Sequence, residues 1–407
     1  MKILLVAEKY PPIVGGGETH LHQLAEGLAA RGHEVTVVTE TVPPGPERDA
    51  YRTGAVRVVE VDGLIDACQR LDGKQAVASL YREFTASDAD VVHVFNYVPA
   101  LLTSWLRSAV KGRLVVSLFE THMPGIRVFD LWGDYDLERT LQRSLVDNLR
   151  ADLMIAGSQA YRRWALDAGF DDRDIHVVEF GTDLDRFTED ADGRAAWRAR
   201  HGVADGDTVF LVPARPVPRK CIEDAVAALA VVAKSHPGTR LVLTAPTARS
   251  NDAYVDGLRD QAERLGVADR IIWEYGLAWQ DMPGLFAAAD AVVLPSSHEG
   301  FGIALVEGMA ARRPVITSDV EGHDEVIDDG RTGFRYPPQD VSALAGRMTT
   351  VIEQDMRQLV DEARAEARRR FSSEAVVAGH ERAYEAALAL PPHTEGTPSD
   401  RVSEIQE

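Results

Sequence analysis

Cysteine is almost absent from this chain of 407 residues, which contains only Cys68 and Cys221. Two cysteines cannot build a disulfide framework or a cysteine-based zinc site, and they are typical of a reducing compartment. Long apolar runs are absent as well. The apolar start, residues 1–7, ends at Glu8 and is too short for the core of a signal peptide. No run approaches the roughly 20 residues that span a bilayer. We therefore expect a soluble protein of the cytoplasm.

Basic charge is also in short supply. The chain has 44 Lys and Arg against 64 Asp and Glu, a net charge of −20. Nucleic-acid binding depends largely on cationic contacts to phosphate, and anionic membranes attract basic surfaces. We therefore expect neither nucleic acid nor a membrane surface as a partner. The rest of the composition, 45% hydrophobic and 27% charged, is that of a globular protein with two or three domains.

Apolar runs of about five residues alternate with helical stretches along most of the chain. This alternation predicts an α/β fold with parallel sheets covered on both faces. The predicted helices include 19–31 and 303–311. The predicted strands are 2–7, 34–39, 91–95, 113–118, 153–156, 209–213, 241–244, 270–274, 291–295 and 314–317.

A charged segment, residues 182–207, interrupts the alternation and contains no strand-like run. It predicts a junction near residues 185–205 between two similar α/β domains, 1–190 and 191–373. A strong helix is expected over 374–390. The last residues, 391–407, are rich in Thr, Ser, Pro and Glu and are expected to be disordered.

A glycine-rich loop, Gly15 to Gly17, separates the first predicted strand from the first helix. Glycine lets the backbone approach a ligand at a helix N-terminus, where free N–H groups attract anions. A dinucleotide fingerprint would follow the strand immediately, whereas these glycines lie about eight residues later. The spacing therefore disfavours a nicotinamide site, and a flexible connecting loop is the alternative interpretation.

A cationic loop follows the predicted strand 209–213 and carries Arg215, Arg219 and Lys220. Ligands of α/β folds bind at the carboxyl ends of parallel strands, so Arg215 and Lys220 could neutralise a diphosphate there. Solvated surface charge is the alternative.

The most informative segment follows the predicted strand 291–295. Gly300 and Gly302 form a tight turn before a helix, so the N–H groups of residues 302–304 should face a phosphate. Glu307 lies about one helical turn further on and could accept the hydroxyls of a ribose. Glu299, on the loop, could hold a sugar. A glycosidase would need two carboxylates on opposite sides of a bond, and these two come from one loop and its helix.

Other loops gave weaker signals. Glu325, in the loop after strand 314–317, could close the same pocket or belong to a plain turn. His122 follows strand 113–118 and could contact a reacting hydroxyl, although a lone histidine is more often structural. His93 is expected in the core, and the pair Asp183 and Asp185, with no third ligand nearby, is expected to be structural. The aromatic residues after His122 could contact an acceptor or pack the loop against the core; they are Phe129, Trp132 and Tyr135.

Taken together and in this order, these motifs resemble the retaining glycosyltransferases of family 4, of the glycogen synthase and mannosyltransferase type. The most specific elements are Glu299 and Glu307 with seven residues between them, the Gly-Phe-Gly turn, and Pro314-Val-Ile. The resemblance extends from Lys2 to about Leu390. It implies the GT-B fold, in which two Rossmann-like, doubly wound domains face each other across a cleft.

The resemblance also implies roles for individual residues. The first domain would bind the acceptor, and the second would bind a nucleoside diphosphate sugar. The catalytic set would be His122, Arg215, Lys220 and Glu299. The donor-binding set would be Gly16, Gly17, Arg215, Lys220, Glu299, Gly300, Phe301, Gly302, Ile303, Ala304, Glu307 and Glu325. The acceptor-binding set would be Glu18, Glu120, His122 and Trp132.

Three departures from the family pattern accompany the resemblance. Cys221 stands where a glycine usually follows the lysine. Thr182 and its neighbours replace the usual Asn-Gly-Val-Asp at the junction. Glu321, Gly322 and His323 stand where a pair of glycines usually precedes Glu325. The last change would lie near the donor sugar.

The implied reaction transfers a hexose-type sugar from a UDP- or GDP-linked donor to a hydroxyl, with retention of configuration. We expect front-face attack without a metal or a cofactor, since cations and a helix N-terminus would stabilise the leaving diphosphate. Residues 1–190 hold 20 Lys and Arg against 30 Asp and Glu, which favours a soluble small-molecule or saccharide acceptor. The alternatives are a sugar-nucleotide epimerase of the same fold and a non-catalytic sugar-nucleotide-binding protein.

Overall fold

The computed structural model describes residues 1–13, 16–52, 54–65, 74–117, 151–168, 170–245, 253–277 and 279–391. It contains two parallel β-sheets, each flanked by helices, as the sequence predicted. The first sheet has seven strands in the order β3-β2-β1-β4-β5-β6-β7. These strands are β1 Lys2–Val6, β2 Glu34–Glu40, β3 Arg57–Val61, β4 Val91–Phe95, β5 Arg113–Ser117, β6 Leu153–Ala156 and β7 Ile175–Val177.

The second sheet has six strands in the order β10-β9-β8-β11-β12-β13. They are β8 Thr208–Val212, β9 Thr239–Ala245, β10 Ile271–Tyr275, β11 Ala291–Leu294, β12 Val315–Ser318 and β13 Phe334–Tyr336. In both sheets the chain order reverses in the middle, between β1 and β4 and between β8 and β11. Ligands of doubly wound sheets bind at such a reversal.

Helices cover the faces of both sheets. In the first half they are α1 Gly16–Ala30, α2 Pro46–Ala50, α3 Lys74–Ala86, α4 Tyr97–Trp105 and α5 Gln159–Ala168. In the second half they are α6 Ala191–Arg200, α7 Ile222–Val232, α8 Ala253–Leu265, α9 Met282–Ala288, α10 Ile303–Ala310, α11 His323–Val326, α12 Val341–Glu353, α13 Arg357–Phe371 and α14 Ser373–Ala389. None of the described helices is both long enough and apolar enough to span a bilayer.

Three strands were not predicted: β3, β7 and β13. Each lies at an edge of its sheet, and two of them are only three residues long. These three strands pair on one side only and lack the continuous apolar run of a central strand, whereas the fourth edge strand, β10, begins with Ile271, Ile272 and Trp273 and was predicted. The burial pattern of β4, in which all five residues are buried, shows the contrast.

The junction segment is more ordered than a linker. It contains no strand, as expected, but α6 packs its Trp197 into the core of the second domain. The buried guanidinium of Arg198 donates to the carbonyl oxygens of Ala204 and Asp207, at 2.7 and 2.6 Å. Arg194 and Arg198 also form ion pairs with Asp290, which accepts from the N–H of Val209 in β8, so the charged residues of this segment attach it to the second sheet.

The long helix α14 returns from the second domain to the first. Its buried residues Val377, Ala383, Tyr384 and Ala387 join the core formed by α1 and the first sheet. The hydroxyl of Tyr384 lies 2.8 Å from His93 Nδ1, and His93 is fully buried, as the sequence predicted. The predicted disordered tail falls, except for Pro391, outside the described residues.

Candidate active site at the carboxyl ends of β8, β11 and β12

Two loops meet where the order of the second sheet reverses. Strands β8 and β11 are neighbours, so the loop after β8 (213–221) and the loop after β11 (295–302) leave the sheet side by side. The backbone N–H and the hydroxyl of Ser297 both donate to the carbonyl of Arg219, at 2.9 and 3.2 Å. The cationic loop and the glycine-rich turn, far apart in sequence, are therefore joined directly.

Glu299 binds two cations at this junction. Its carboxylate forms an ion pair with Lys220 and accepts from Arg219 Nη1 at 3.1 and 3.3 Å. Burial alone would raise the pKa of Glu299, but Lys220, Arg219 and His323 outweigh it and lower the pKa to about 2. Burial also lowers the pKa of Lys220, although Glu299 opposes that change. Glu299 is therefore a charged carboxylate held in a fixed position.

The sequence predicted Lys220 and Glu299 for this site but not the contact of Arg219 with Glu299. The only sequence signal for Arg219 was its place in the same cationic loop. Arg215, in contrast, is exposed, and the described part of the chain offers it no ion pair. Its charge is close enough to contribute to the lowered pKa of Lys220. Arg215 is therefore available to an anionic ligand.

Cys221 occupies a position that explains the departure from the family pattern. Its backbone has φ 46° and ψ 43°, in the left-handed region that favours glycine. It directly precedes α7, and the backbone of an L-residue there costs about 1 kcal/mol. Cys221 therefore adopts a backbone conformation that is unstrained for glycine, the residue usual at this position in the family pattern.

The turn before α10 has the geometry that the sequence predicted. Gly302 has φ +91° and begins the helix, and Leu305 N–H donates to its carbonyl at 2.9 Å. The N–H groups of Ile303 and Ala304 are in the first turn, where a helix offers them no acceptor. Both residues are partly exposed. This helix N-terminus can therefore bind an anion.

Phe301 was predicted to bind the donor, and its side chain is buried in this structure. The ring is 4% exposed and packs edge-to-face against Phe180 and Phe371, with centroids 5.5 Å apart in both pairs. An aromatic ring enclosed in this way anchors the turn to the core. A contact of Phe301 with the donor stays a prediction.

Glu307 lies half-buried on α10. Burial raises its pKa to about 8, and the nearby charge of Arg186 reduces this effect only in part. Arg186 comes from the junction segment, and no sequence motif pointed to it. A carboxyl group in this position can accept or donate hydrogen bonds at neutral pH, which suits a pair of ribose hydroxyls.

Glu325 was predicted to bind the donor, but both of its oxygens bind the first domain in this structure. They accept from the N–H groups of Gln159 and Ala160, at 2.6 and 2.7 Å, at the start of α5. A carboxylate at a helix N-terminus caps it and complements its dipole. Nearby, Ser158 Oγ donates to the carbonyl of Gly300 at 2.8 Å. Glu325 therefore ties the two domains together, and its contact with a donor stays a prediction.

The remaining predicted residues belong to the first domain. Gly16 and Gly17 begin α1, and Glu18 lies in its first turn. Three residues, Glu120, His122 and Trp132, fall outside the described residues, so their roles stay predictions.

The pair Asp183 and Asp185, which was expected to be structural, makes contacts within the protein. Asp183 accepts from the N–H of Asp185 at 3.1 Å, and Asp185 pairs with Arg368 at 2.7 Å. Among the described residues, no group of three or more His, Cys, Asp or Glu side chains is placed to hold a metal ion. Metal independence stays a prediction.

Comparison with known proteins agrees with this geometry. Residues 14–186 match the family model for Glycosyltransferase Family 4, and residues 193–375 match that for Glycosyl transferases group 1. A D-inositol 3-phosphate glycosyltransferase of Streptomyces scabiei is 32% identical over 350 residues, covering 81% of this chain and 77% of the relative. A GDP-mannose-dependent alpha-(1-6)-phosphatidylinositol monomannoside mannosyltransferase of Mycolicibacterium smegmatis is 27% identical over 351 residues, covering 84% and 87%.

A solved structure extends the comparison to three dimensions. The HepE protein of Anabaena, crystallised with UDP-glucose, superposes with a TM-score of 0.78 at 25% identity and covers 96% of this chain and 100% of its own. The two family models match one domain each, and both curated relatives and this structure match across both domains. The chain therefore belongs to the glycosyltransferases of family 4 and has their GT-B fold.

Proposed function

We propose that this protein transfers a hexose-type sugar from a UDP- or GDP-linked donor to an acceptor hydroxyl, with retention of configuration. The observation that carries the proposal is that Arg215, Lys220 and the N-terminus of α10 all lie at the carboxyl ends of β8 and β11, beside Glu299. Two cations and a helix N-terminus suit a diphosphate, and a fixed carboxylate beside them suits the hydroxyls of the attached sugar.

The donor class rests on the relatives. The mannosyltransferase relative is named for GDP-mannose, and the HepE structure contains UDP-glucose. We extend these two donors to the present chain as the first candidates. The acidic first domain favours a soluble small-molecule or saccharide acceptor over a lipid in an anionic membrane, and it is consistent with a site of action in the cytoplasm.

The proposed step breaks the bond between the anomeric carbon and the diphosphate oxygen. The acceptor oxygen forms its bond to that carbon on the same face, and its proton passes to the departing diphosphate. Arg215, Lys220 and the N–H groups of Ile303 and Ala304 stabilise the negative charge that develops on the leaving group. Lys220 has three N–H donors, so it can bind the diphosphate while it holds Glu299. These cations would serve without a metal ion.

Thermal unfolding with UDP, GDP, ADP and TDP, each with magnesium and with a chelator, tests the proposal. A ligand at 100 times its Kd stabilises the folded state by about 2.7 kcal/mol. For domains of this size, that raises the melting temperature by roughly 5–10 °C. We expect this rise with UDP or GDP, equal in magnesium and in chelator.

Two variants sharpen the test. Lys220→Met should abolish most of the rise, whereas Lys234→Met, which removes an exposed lysine of the same domain, should not. The preferred nucleotide then defines the donor for a transfer assay against saccharide acceptors. No rise with any nucleotide would refute the proposed donor site. Sugar turnover in the absence of any acceptor would indicate an epimerase instead.

A further inference from the structure

His323 occupies an unusual position beside the proposed donor site. It stands at the start of the short helix α11, and its ring is fully buried. Its loop packs directly on the turn that carries Glu299: a Cβ atom at Gly322 would lie 2.5 Å from the carbonyl oxygen of Glu299. The loops after β11 and β12 therefore touch backbone to backbone at this point.

The hydrogen bonds of His323 define its tautomer. Nδ1 lies 2.6 Å from the hydroxyl oxygen of Thr317, and that hydroxyl lies 3.0 Å from the carbonyl oxygen of Leu294. A carbonyl only accepts, so the threonine proton points to Leu294 and Nδ1–H of His323 must be the donor to Thr317. Burial lowers the pKa of His323 to about 4, so the ring is neutral at pH 7. Nε2 therefore carries no proton and can accept a hydrogen bond.

This acceptor has no protein partner. Within the described residues, His323 Nε2 is buried and makes no hydrogen bond. A buried acceptor left unpaired costs about 1–3 kcal/mol, and native proteins rarely leave one without a ligand or an ordered water.

The direction of the ring edge links the nitrogen to the donor site. A Cβ atom at Gly302 would lie 3.0 Å from Nε2 and 2.9 Å from Cδ2, so this edge faces the residue that begins α10. Because position 302 carries no side chain, the nitrogen packs against the backbone of Gly302. Gly302 directly precedes Ile303 and Ala304, whose N–H groups are in the first turn of α10.

We propose that His323 Nε2 accepts a hydrogen bond from a hydroxyl of the donor sugar and is a specificity-determining contact for that sugar. The inference rests on the proposed function, because it needs a nucleotide sugar with its diphosphate at the α10 N-terminus. The loop that carries His323 is one of the three places where the sequence departs from the family pattern. A sugar that lacks the hydroxyl leaves Nε2 unpaired and is disfavoured.

Isothermal titration of the full chain with UDP, UDP-glucose, GDP and GDP-mannose tests the contact. The readout is the affinity for each nucleotide sugar relative to its free nucleotide. His323→Asn keeps a polar group near the place of Nδ1 and removes Nε2. We expect it to weaken the binding of the preferred nucleotide sugar about 10-fold and to leave the affinity for the free nucleotide unchanged. His323→Gln, whose longer side chain places an oxygen near Nε2, should restore part of the difference.

The outcomes separate the two proposals. Wild-type protein that binds none of the four compounds refutes the proposed function and the contact together. If the wild-type protein binds a nucleotide sugar and His323→Asn has the same affinity for it relative to the free nucleotide, the result overturns the contact alone. His323 is then a structural histidine with a buried water.

A measurement on the wild-type protein avoids dependence on how the variants fold. The nitrogen-15 resonance of His323 Nε2, assigned by its absence in His323→Gln, should shift with the preferred nucleotide sugar and not with the free nucleotide. An equal response to both ligands overturns the contact.

Discussion

Glu299→Gln should destabilise the second domain by about 3 kcal/mol at pH 7, because it removes the charge that two cations share. The carboxyl has a pKa of about 2 in place of its ordinary 4.5. At 1.36 kcal/mol per pH unit, the difference of about 2.5 corresponds to about 3.4 kcal/mol. Solvent screens the pair little, since the side chains of Glu299 and Lys220 are 15% and 13% exposed. Removal of one partner from a buried pair typically costs 3–5 kcal/mol, which agrees in size.

The pH dependence of this effect has a defined sign. The pKa of Glu299 is lower in the folded protein than in the unfolded chain, so its stabilisation is complete above about pH 4.5 and is lost as the pH falls toward 2. About 0.8 kcal/mol of it should be lost at pH 4 and about 2 kcal/mol at pH 3. Glutamine does not titrate. The difference in unfolding free energy between wild type and variant should therefore narrow by these amounts.

Urea unfolding followed by circular dichroism at pH 7, 4 and 3 measures this difference, with separate transitions fitted for the two domains where the curves show them. Glu353→Gln is the matched control, since Glu353 lies in the same domain and its side chain is 59% exposed. The control should stay within about 0.5 kcal/mol of wild type. A loss below 1 kcal/mol in Glu299→Gln at pH 7, or a difference that stays constant from pH 7 to pH 3, would refute the reasoning.

Two further predictions concern the other carboxylates of the site. Glu325→Gln should lower the unfolding free energy by about 1 kcal/mol, because it removes the charged cap of α5. The control Glu321→Gln affects only an exposed pair with Arg163 and should cost less than half of that. Calorimetric melting of both variants would show equal losses if the cap contributed nothing. Burial raises the pKa of Glu307 to about 8, above its value in the unfolded chain, so ionisation of Glu307 reduces the stability of the wild type as the pH rises from 5 to 8. Glu307→Gln avoids this loss, and its stability relative to wild type should increase over that range; melting temperatures at pH 5, 6, 7 and 8 that keep a constant difference would contradict the assigned burial.

The central strands could be predicted from the sequence because burial on both faces leaves a continuous apolar run. In the structure, all residues of β4, β6, β11 and β12 are buried, and these four were predicted within one residue at either end. The edge strands β3, β7 and β13 carry no such run. The local sequence of Arg57–Val61 does not distinguish a strand from a loop, and only its pairing with β2 makes it a strand.

The candidate site shows the same division between local and long-range information. Glycine and glutamate spacing after β11 predicted the turn at Gly302 and the start of α10, since one loop and one helix determine that geometry. The contact of Arg219 with Glu299, the approach of Arg186 to Glu307 and the use of Glu325 by α5 depend on segments brought together only by the fold. Spacing along the chain carries no signal for them.

The return of α14 to the first domain fixes an order for folding during synthesis. The core beneath α1 and the first sheet is incomplete until Tyr384 and Ala387, almost the last described residues, have left the ribosome. The core around the second sheet, in contrast, is built from one continuous stretch of the chain, from Leu184 to Phe371. Although domains generally fold from the N-terminus onward, the first domain here must wait for the second with part of its apolar surface uncovered. A nascent chain halted before Ser373 should therefore bind chaperones through its N-terminal half.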